Sequence, residues 1–185
     1  MDFVTQIGGK YHPNNKLLFA LKDKLMPLGI EVTHPISQDF VSDTANGFDP
    51  AVFSSYNVGL DYYESIAESN FHIVCNSFED NDGYVGESAA REILYAMLKN
   101  RPIILLFNPN LKPSIDHLTR DIITRHQSQL HVANLLAMDD QEIESYLDKV
   151  AASQPAYDLS SHEKTLIRSR VRTYFRESIP AIEVV

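Results

Sequence analysis

Between Gly83 and Ala96 the sequence reads G-Y-V-G-E-S-A-A-R-E-I-L-Y-A, and this stretch gathers residue types that can hold a small anion and supply a catalytic carboxyl. Gly86 to Ser88 opens a predicted helix, where free N–H groups and the helix dipole favour an anion. Ser88 is suited to cap that helix or to bind a phosphate through its hydroxyl. Glu92 comes four residues after Ser88, which puts both on one helical face. Ile93, Ala96 and Met97 make the apolar face beside Glu92, and Ala89 and Ala90 permit close packing. A carboxyl at the edge of a buried face, near a cleft, is a candidate catalytic group. Glu87 and Arg91, also four apart, read as a surface pair.

A second candidate is Gly8-Gly9, which ends the first apolar run and lets backbone approach a ligand closely. It matches neither the G-x-G-x-x-G fingerprint nor the phosphate loop G-x-x-x-x-G-K-[ST], and a tight turn between strand and helix is an equal reading. Asp80 and Asp82 read as either acids or turn residues, and Tyr11, His12 and Tyr84 as either ligand contacts or loop packing. The seven histidines form no metal-ligand spacing, and each, His72 included, is expected to be a satisfied structural group. No G-x-S-x-G is present to suggest a serine hydrolase. Cys75, the one cysteine, reads as a small buried hydrophobe and excludes a disulfide framework.

The elements that must position these residues follow from periodicity. Phe3–Ile7 reads as a strand, broken by Gly8-Gly9. Asn14 and Asn15 offer an N-cap to a helix carrying Leu17, Leu18, Leu21, Leu25 and Leu28, stopped by Pro27 and Gly29. Ile30–Thr33 is a second strand. Residues 37–53 lack a sustained period and read as a long, potentially functional loop. A helix over Val58–Ser69 with Leu60, Tyr63, Ile66 and Ala67 inward leads to a buried strand at Phe71–Cys75. After the Glu92 helix come a strand at Ile103–Phe107, a helix around Ile115–Ile123, a weaker strand at His131–Leu135 and a helix over Asp139–Ala152 with an acidic first turn.

This alternation predicts an α/β fold: a doubly wound, mostly parallel five-stranded sheet in the flavodoxin-like order 2-1-3-4-5. The switch in strand order then lies between strands one and three. Ligands bind at such a point, beyond the carboxyl ends of the strands. The loops arriving there are those after Gly8-Gly9 and from Asn76 to Ser88. Residues 1–153 are expected to form the α/β domain. Residues 154–185 are expected to be a helical extension packed on the domain or on a partner subunit, its arginines either solvated or reaching an anionic ligand.

At 185 residues, 44% hydrophobic and 22% charged, the chain is sized and composed as one ordinary globular domain. Its longest apolar run is far short of the ~20 residues that span a bilayer, and no leader is visible. A cytoplasmic protein is the expectation. The net charge of −9 disfavours nucleic acid as a partner but permits a small phosphorylated ligand.

The run from Gly83 to Leu106, with its G-Y-V-G-E-S opening, Glu92-Ile93-Leu94-Tyr95-Ala96 and Arg101-Pro102 before an apolar strand, resembles the signature of the nucleoside 2-deoxyribosyltransferase-like superfamily. Weaker similarity at the amino end extends the resemblance over about the first 110 residues. It implies a doubly wound α/β fold and cleavage or transfer at the N-glycosidic bond of a (deoxy)nucleoside or nucleoside monophosphate. It gives Glu92 the role of nucleophile at the anomeric carbon, as in retaining glycosidases. Asp61 is the nearest match to an aspartate that protonates or orients base or sugar. Gly8, Gly9, Tyr11, Asp82, Tyr84, Gly86 and Ser88 fall at ligand-contacting positions. Gly86 stands where some members carry aspartate or serine, and Ser88 is the substitute. No metal and no cofactor are expected. The expected partners are a nucleoside or nucleotide and further copies of the chain, as a homodimer or larger assembly. The alternatives are a nucleotide-sensing module of the same fold, an enzyme that cleaves NAD, and an interaction protein assembling through its tail.

Overall fold

The computed structural model describes residues 3–9, 16–34, 58–78 and 80–178, with the backbone alone for 58–61 and 172–178. In chain order the elements begin with β1 (Phe3–Gly9), α1 (Lys16–Leu25), β2 (Ile30–Val32), α2 (Val58–Glu68) and β3 (Phe71–Cys75). Three two-residue strands follow, β4 (Ser77–Phe78), β5 (Asn81–Asp82) and β6 (Tyr84–Val85), then α3 (Glu87–Leu98), β7 (Ile103–Leu105) and β8 (Asn110–Leu111). The chain continues through α4 (His117–Arg125), β9 (His131–Val132), α5 (Asp140–Ala152) and α6 (Ser161–Ser178).

Five strands form one parallel sheet in the order β2-β1-β3-β7-β9, the doubly wound arrangement that the alternating elements predict. Successive side chains of a strand point to opposite faces, so each strand feeds two cores. Ile7, Phe71, Ile73 and Ile104 pack against Leu18, Leu21 and Leu25 of α1 and Ile143, Leu147 and Val150 of α5. Val74, Ile103 and Leu105 face the opposite layer, built by α2, α3, α4 and α6. Each fully buried Leu or Ile contributes ~1.5–3 kcal/mol, so both layers are needed to hold the sheet.

β9 spans only His131–Val132 of the expected His131–Leu135 and β2 ends at Val32, and two further boundary differences bear on the site. β1 does not break at Gly8-Gly9; both glycines are strand residues, opposite Val74 and Cys75. β7 ends at Leu105, and beyond it the chain is held by a side chain. Asn76 accepts from the Phe107 N–H at 3.0 Å and donates to the Phe107 carbonyl at 2.7 Å, as a paired strand residue would. The long loop read at residues 37–53 and the Asn14-Asn15 cap lie outside the described residues.

Residues 153–160 have no regular structure, yet Tyr157 and Leu159 are buried in the same core as α3. Ile167 and Val171 of α6 join them. Two charge contacts fix this helix: Arg125 to Glu163 at 2.6 Å, and Arg170 forked onto Asp116 at 2.5 and 2.8 Å. Among the described residues, no helix is long and apolar enough to cross a membrane.

Candidate functional site

The start of α3 is positioned from both sides. The Gly83 N–H donates to the Asn76 carbonyl at 2.7 Å, and the Asn110 N–H donates to the Gly83 carbonyl at 2.7 Å. Gly83 has φ +88°, and a Cβ there would collide with the Asn108 carbonyl, so only glycine fits. β6 then pairs with β8, and Gly86 caps α3 from an extended conformation without a side-chain hydrogen bond. The helix opens beside the carboxyl ends of β1 and β3, the switch point of this sheet.

One turn into α3, Glu92 turns inward, 5% exposed. Its Oε2 lies 3.9 Å from His72 Nε2 and has no hydrogen-bond partner. The Tyr62 hydroxyl on α2 approaches the carboxyl closely enough to favour its ionised form. Gly8 supplies the room: a Cβ there would overlap Glu92 Oε2 and lie 3.0 Å from His72 Cε1. Burial pushes the Glu92 carboxyl up to about 8, against the lowering pull of the Tyr62 hydroxyl and of Arg91. Burial likewise pushes His72 down to about 3, with the Gln6 backbone opposing. At neutral pH this pair is therefore a neutral acid beside a neutral imidazole.

Gln6 is the register partner of His72 on β1, and its side-chain amide is buried with no partner on either atom. Seven buried side-chain polar atoms lack a hydrogen bond among the described residues, and five of them belong to Gln6, His72 and Glu92. Buried polar atoms are nearly always satisfied, so this concentration marks one place in the fold as chemically unusual.

The predicted site residues divide. Gly8 and Glu92 converge, Gly86 begins the same helix, and His72, not among the predicted residues, joins them. Ser88 is exposed and does not cap the helix; Gly86 does. Asp82 is exposed in the β4–β5 hairpin and accepts from the Ser77 hydroxyl at 2.7 Å, a turn-stabilising role. Asp80 takes the left-handed turn conformation with φ +60°. Tyr84 is half-buried against Phe78 and lies over Gly86. Gly9 pairs with Cys75, whose thiol burial pushes up to about 12. Glu87 and Arg91 form the expected pair at 3.7 Å. Asp61 lies on α2 with its side chain outside the described residues, as Tyr11 and His12 are altogether.

His72 is not the satisfied structural group its position in a strand suggests, because neither ring nitrogen has a partner. Together with Gln6 and Tyr62 it is a site residue that the motif does not contain. A signal was present: Gln6 and His72 are polar residues inside apolar strands, F-V-T-Q-I and F-H-I-V-C, where buried polarity needs a reason. Among the described residues, no group of three His, Cys, Asp or Glu side chains is arranged to hold a metal ion. No family model matches the chain, and no curated protein matches its sequence.

Proposed function

We propose that the protein cleaves or transfers at the N-glycosidic bond of a nucleoside or nucleotide, with Glu92 as nucleophile. The observation that carries this reading is the placement of Glu92: a buried carboxyl one turn into the helix at the switch point, in space kept open by Gly8. The resemblance of Gly83–Leu106 to the nucleoside 2-deoxyribosyltransferase-like superfamily supports it independently of that geometry. In this reaction an ionised Glu92 oxygen bonds to the anomeric carbon. The C–N bond breaks, and its electron pair leaves on the base nitrogen, which takes up a proton. Water or a second base then displaces the carboxylate from the sugar. With no side chain bonded to them at the Gly86 cap, the first-turn N–H groups and positive dipole end of α3 are suited to a phosphate or sugar hydroxyl.

A second reading has one observation in its favour. A carboxyl raised to about 8 is a neutral hydrogen-bonding group at physiological pH, suited to holding a nucleotide without attacking it. The site would then sense its ligand.

Base release separates the two. The full chain is incubated with deoxynucleosides, nucleoside monophosphates and NAD, and free bases are separated by chromatography, with Glu92→Gln alongside. Release from one substrate class that disappears in the variant is the expected result. Binding by calorimetry without release from any substrate would replace catalysis with sensing, and release that persists in Glu92→Gln would overturn the assignment of the nucleophile.

A further inference from the structure

We infer that Gln6 and His72 are positioning residues that form an uncharged relay to Glu92, able to hold its carboxyl in either protonation state. The inference rests on the proposed role of Glu92 but is read by a different measurement.

Its basis is geometric. Gln6 and His72 stand opposite each other on β1 and β3, and Gly8, two residues after Gln6, faces both the His72 ring and the Glu92 carboxyl. The three side chains therefore share one face of the sheet beneath α3. All three are buried, at 0%, 0% and 5% exposure, and all three carry unpartnered atoms. Other groups around the carboxyl are few among the described residues. α2 contributes Tyr62, α3 itself contributes Arg91, and β1 and β7 contribute no titratable side chain. Glu92 Oε2 is the carboxyl oxygen with no hydrogen-bond partner, and it lies 3.9 Å from His72 Nε2, so a proton on Oε2 faces that ring nitrogen.

Each member of the row can both donate and accept. Small side-chain shifts from the present 3.9 Å spacing close the row: when Glu92 is protonated, its O–H donates to Nε2 and Nδ1–H donates to the Gln6 amide oxygen. When Glu92 is ionised, the other imidazole tautomer donates Nε2–H to Oε2, and the Gln6 amide, turned over, donates to Nδ1. No charge is created on His72 in either arrangement, which agrees with its strongly depressed basicity. A nucleophilic carboxylate needs this second arrangement, because burial alone works against the ion.

The test is a carbon-13 NMR titration of the full chain labelled in glutamate carboxyls, the Glu92 signal being the one lost in Glu92→Gln. Removing the relay takes away the donor to the ionised form. His72→Phe is expected to raise the Glu92 midpoint by about one pH unit. Gln6→Leu is expected to raise it by less, and His72→Gln, whose amide is again donor and acceptor, to restore it towards the parent value. An unchanged or lowered midpoint in folded His72→Phe overturns the inference. Where that variant does not fold, a Gln6→Leu midpoint equal to the parent's overturns it, and so does a folded His72→Gln midpoint well above it. The titration reads the relay whether or not any base is released, so its failure is distinct from failure of the glycosidic reading.

Discussion

The Glu92 carboxyl stands where a side chain on Gly8 would be: strand β1 gives up a Cβ so that helix α3 can bury an acid against the sheet. The glycine is required there for space, which makes it a sensitive probe of the site. Gly8→Ala forces the carboxyl away from His72 in a packed interior, where added volume costs roughly 1–3 kcal/mol. On the glycosidic reading, base release falls by about 100-fold, the penalty typical of a displaced catalytic group. Thermal melting and steady-state rates check both, and an alanine variant equal to the parent in both would show that Gly8 is only a strand residue.

The buried pair also makes stability depend on pH in two opposite ways. Burial holds Glu92 at about 8 in the folded chain, above the ordinary glutamate value of 4.5. Between those limits the folded chain binds the extra proton, so stability is full below the unfolded value and declines as pH rises through about 8. His72, lowered to about 3 from 6.5, does the reverse: its contribution is full above 6.5 and is lost as pH falls towards 3. Glu92→Gln is expected to remove the alkaline decline and His72→Gln the acidic one, each by an amount on the order of a few kcal/mol at the extreme. Denaturant melts of parent and variants from pH 4 to 9 measure it, and parallel curves for parent and Glu92→Gln would mean that the carboxyl is ionised when folded.

A nucleophile must be ionised, so the rate should follow the same group. We expect kcat/KM for base release to rise with pH up to about 8 and then level off. A rate that falls across that range would instead assign Glu92 the part of a proton donor.

Asp116 serves two elements at once. Its Oδ1 accepts from the Thr119 N–H at 3.1 Å as the cap of α4, and both oxygens meet Arg170 of α6. Burial opposes ionisation, but Arg170 and Thr119 outweigh it and hold the carboxyl well below its usual range. Asp116→Ala should cost about 1–2 kcal/mol, mostly the lost cap. Arg170→Ala should cost less than about 1 kcal/mol, because the pair is partly exposed. Equal costs in denaturant unfolding would mean that the bridge to α6 outweighs the cap.

Removal of residues 156–185 strips Tyr157, Leu159, Ile167 and Val171 from the core that also contains α3. At ~1.5–3 kcal/mol for each buried side chain, the loss rivals the stability of a whole domain. The truncated chain is expected to unfold or aggregate rather than merely change its assembly. A truncated chain that melts cooperatively near the parent temperature would show the tail to be dispensable to the fold.

Period and punctuation in the sequence are enough to place the sheet. Phe71–Cys75 is a strand as its unbroken apolar run suggests, and Glu92 faces inward as its place beside Ile93 and Ala96 implies. What escapes such reading is tertiary. Gly8-Gly9 looks like punctuation because glycine usually breaks strands, yet Gly8 is kept in the strand by a carboxyl 84 positions further along the chain. Tyr62 reads as a neighbour of the inward Tyr63, and only the packing of α2 against α3 brings its hydroxyl to Glu92. Ser88 resembles a cap in sequence, but Gly86 takes the extended conformation first.

The Asn76 amide, standing in for a strand residue against Phe107, has a consequence for the start of α3. A loop that would otherwise sample many shapes is riveted at one end to the sheet by that amide and at the other by the β6–β8 pairing. Its disorder is surrendered when the chain folds, so a molecule arriving at Gly86 meets a backbone with little freedom left to lose.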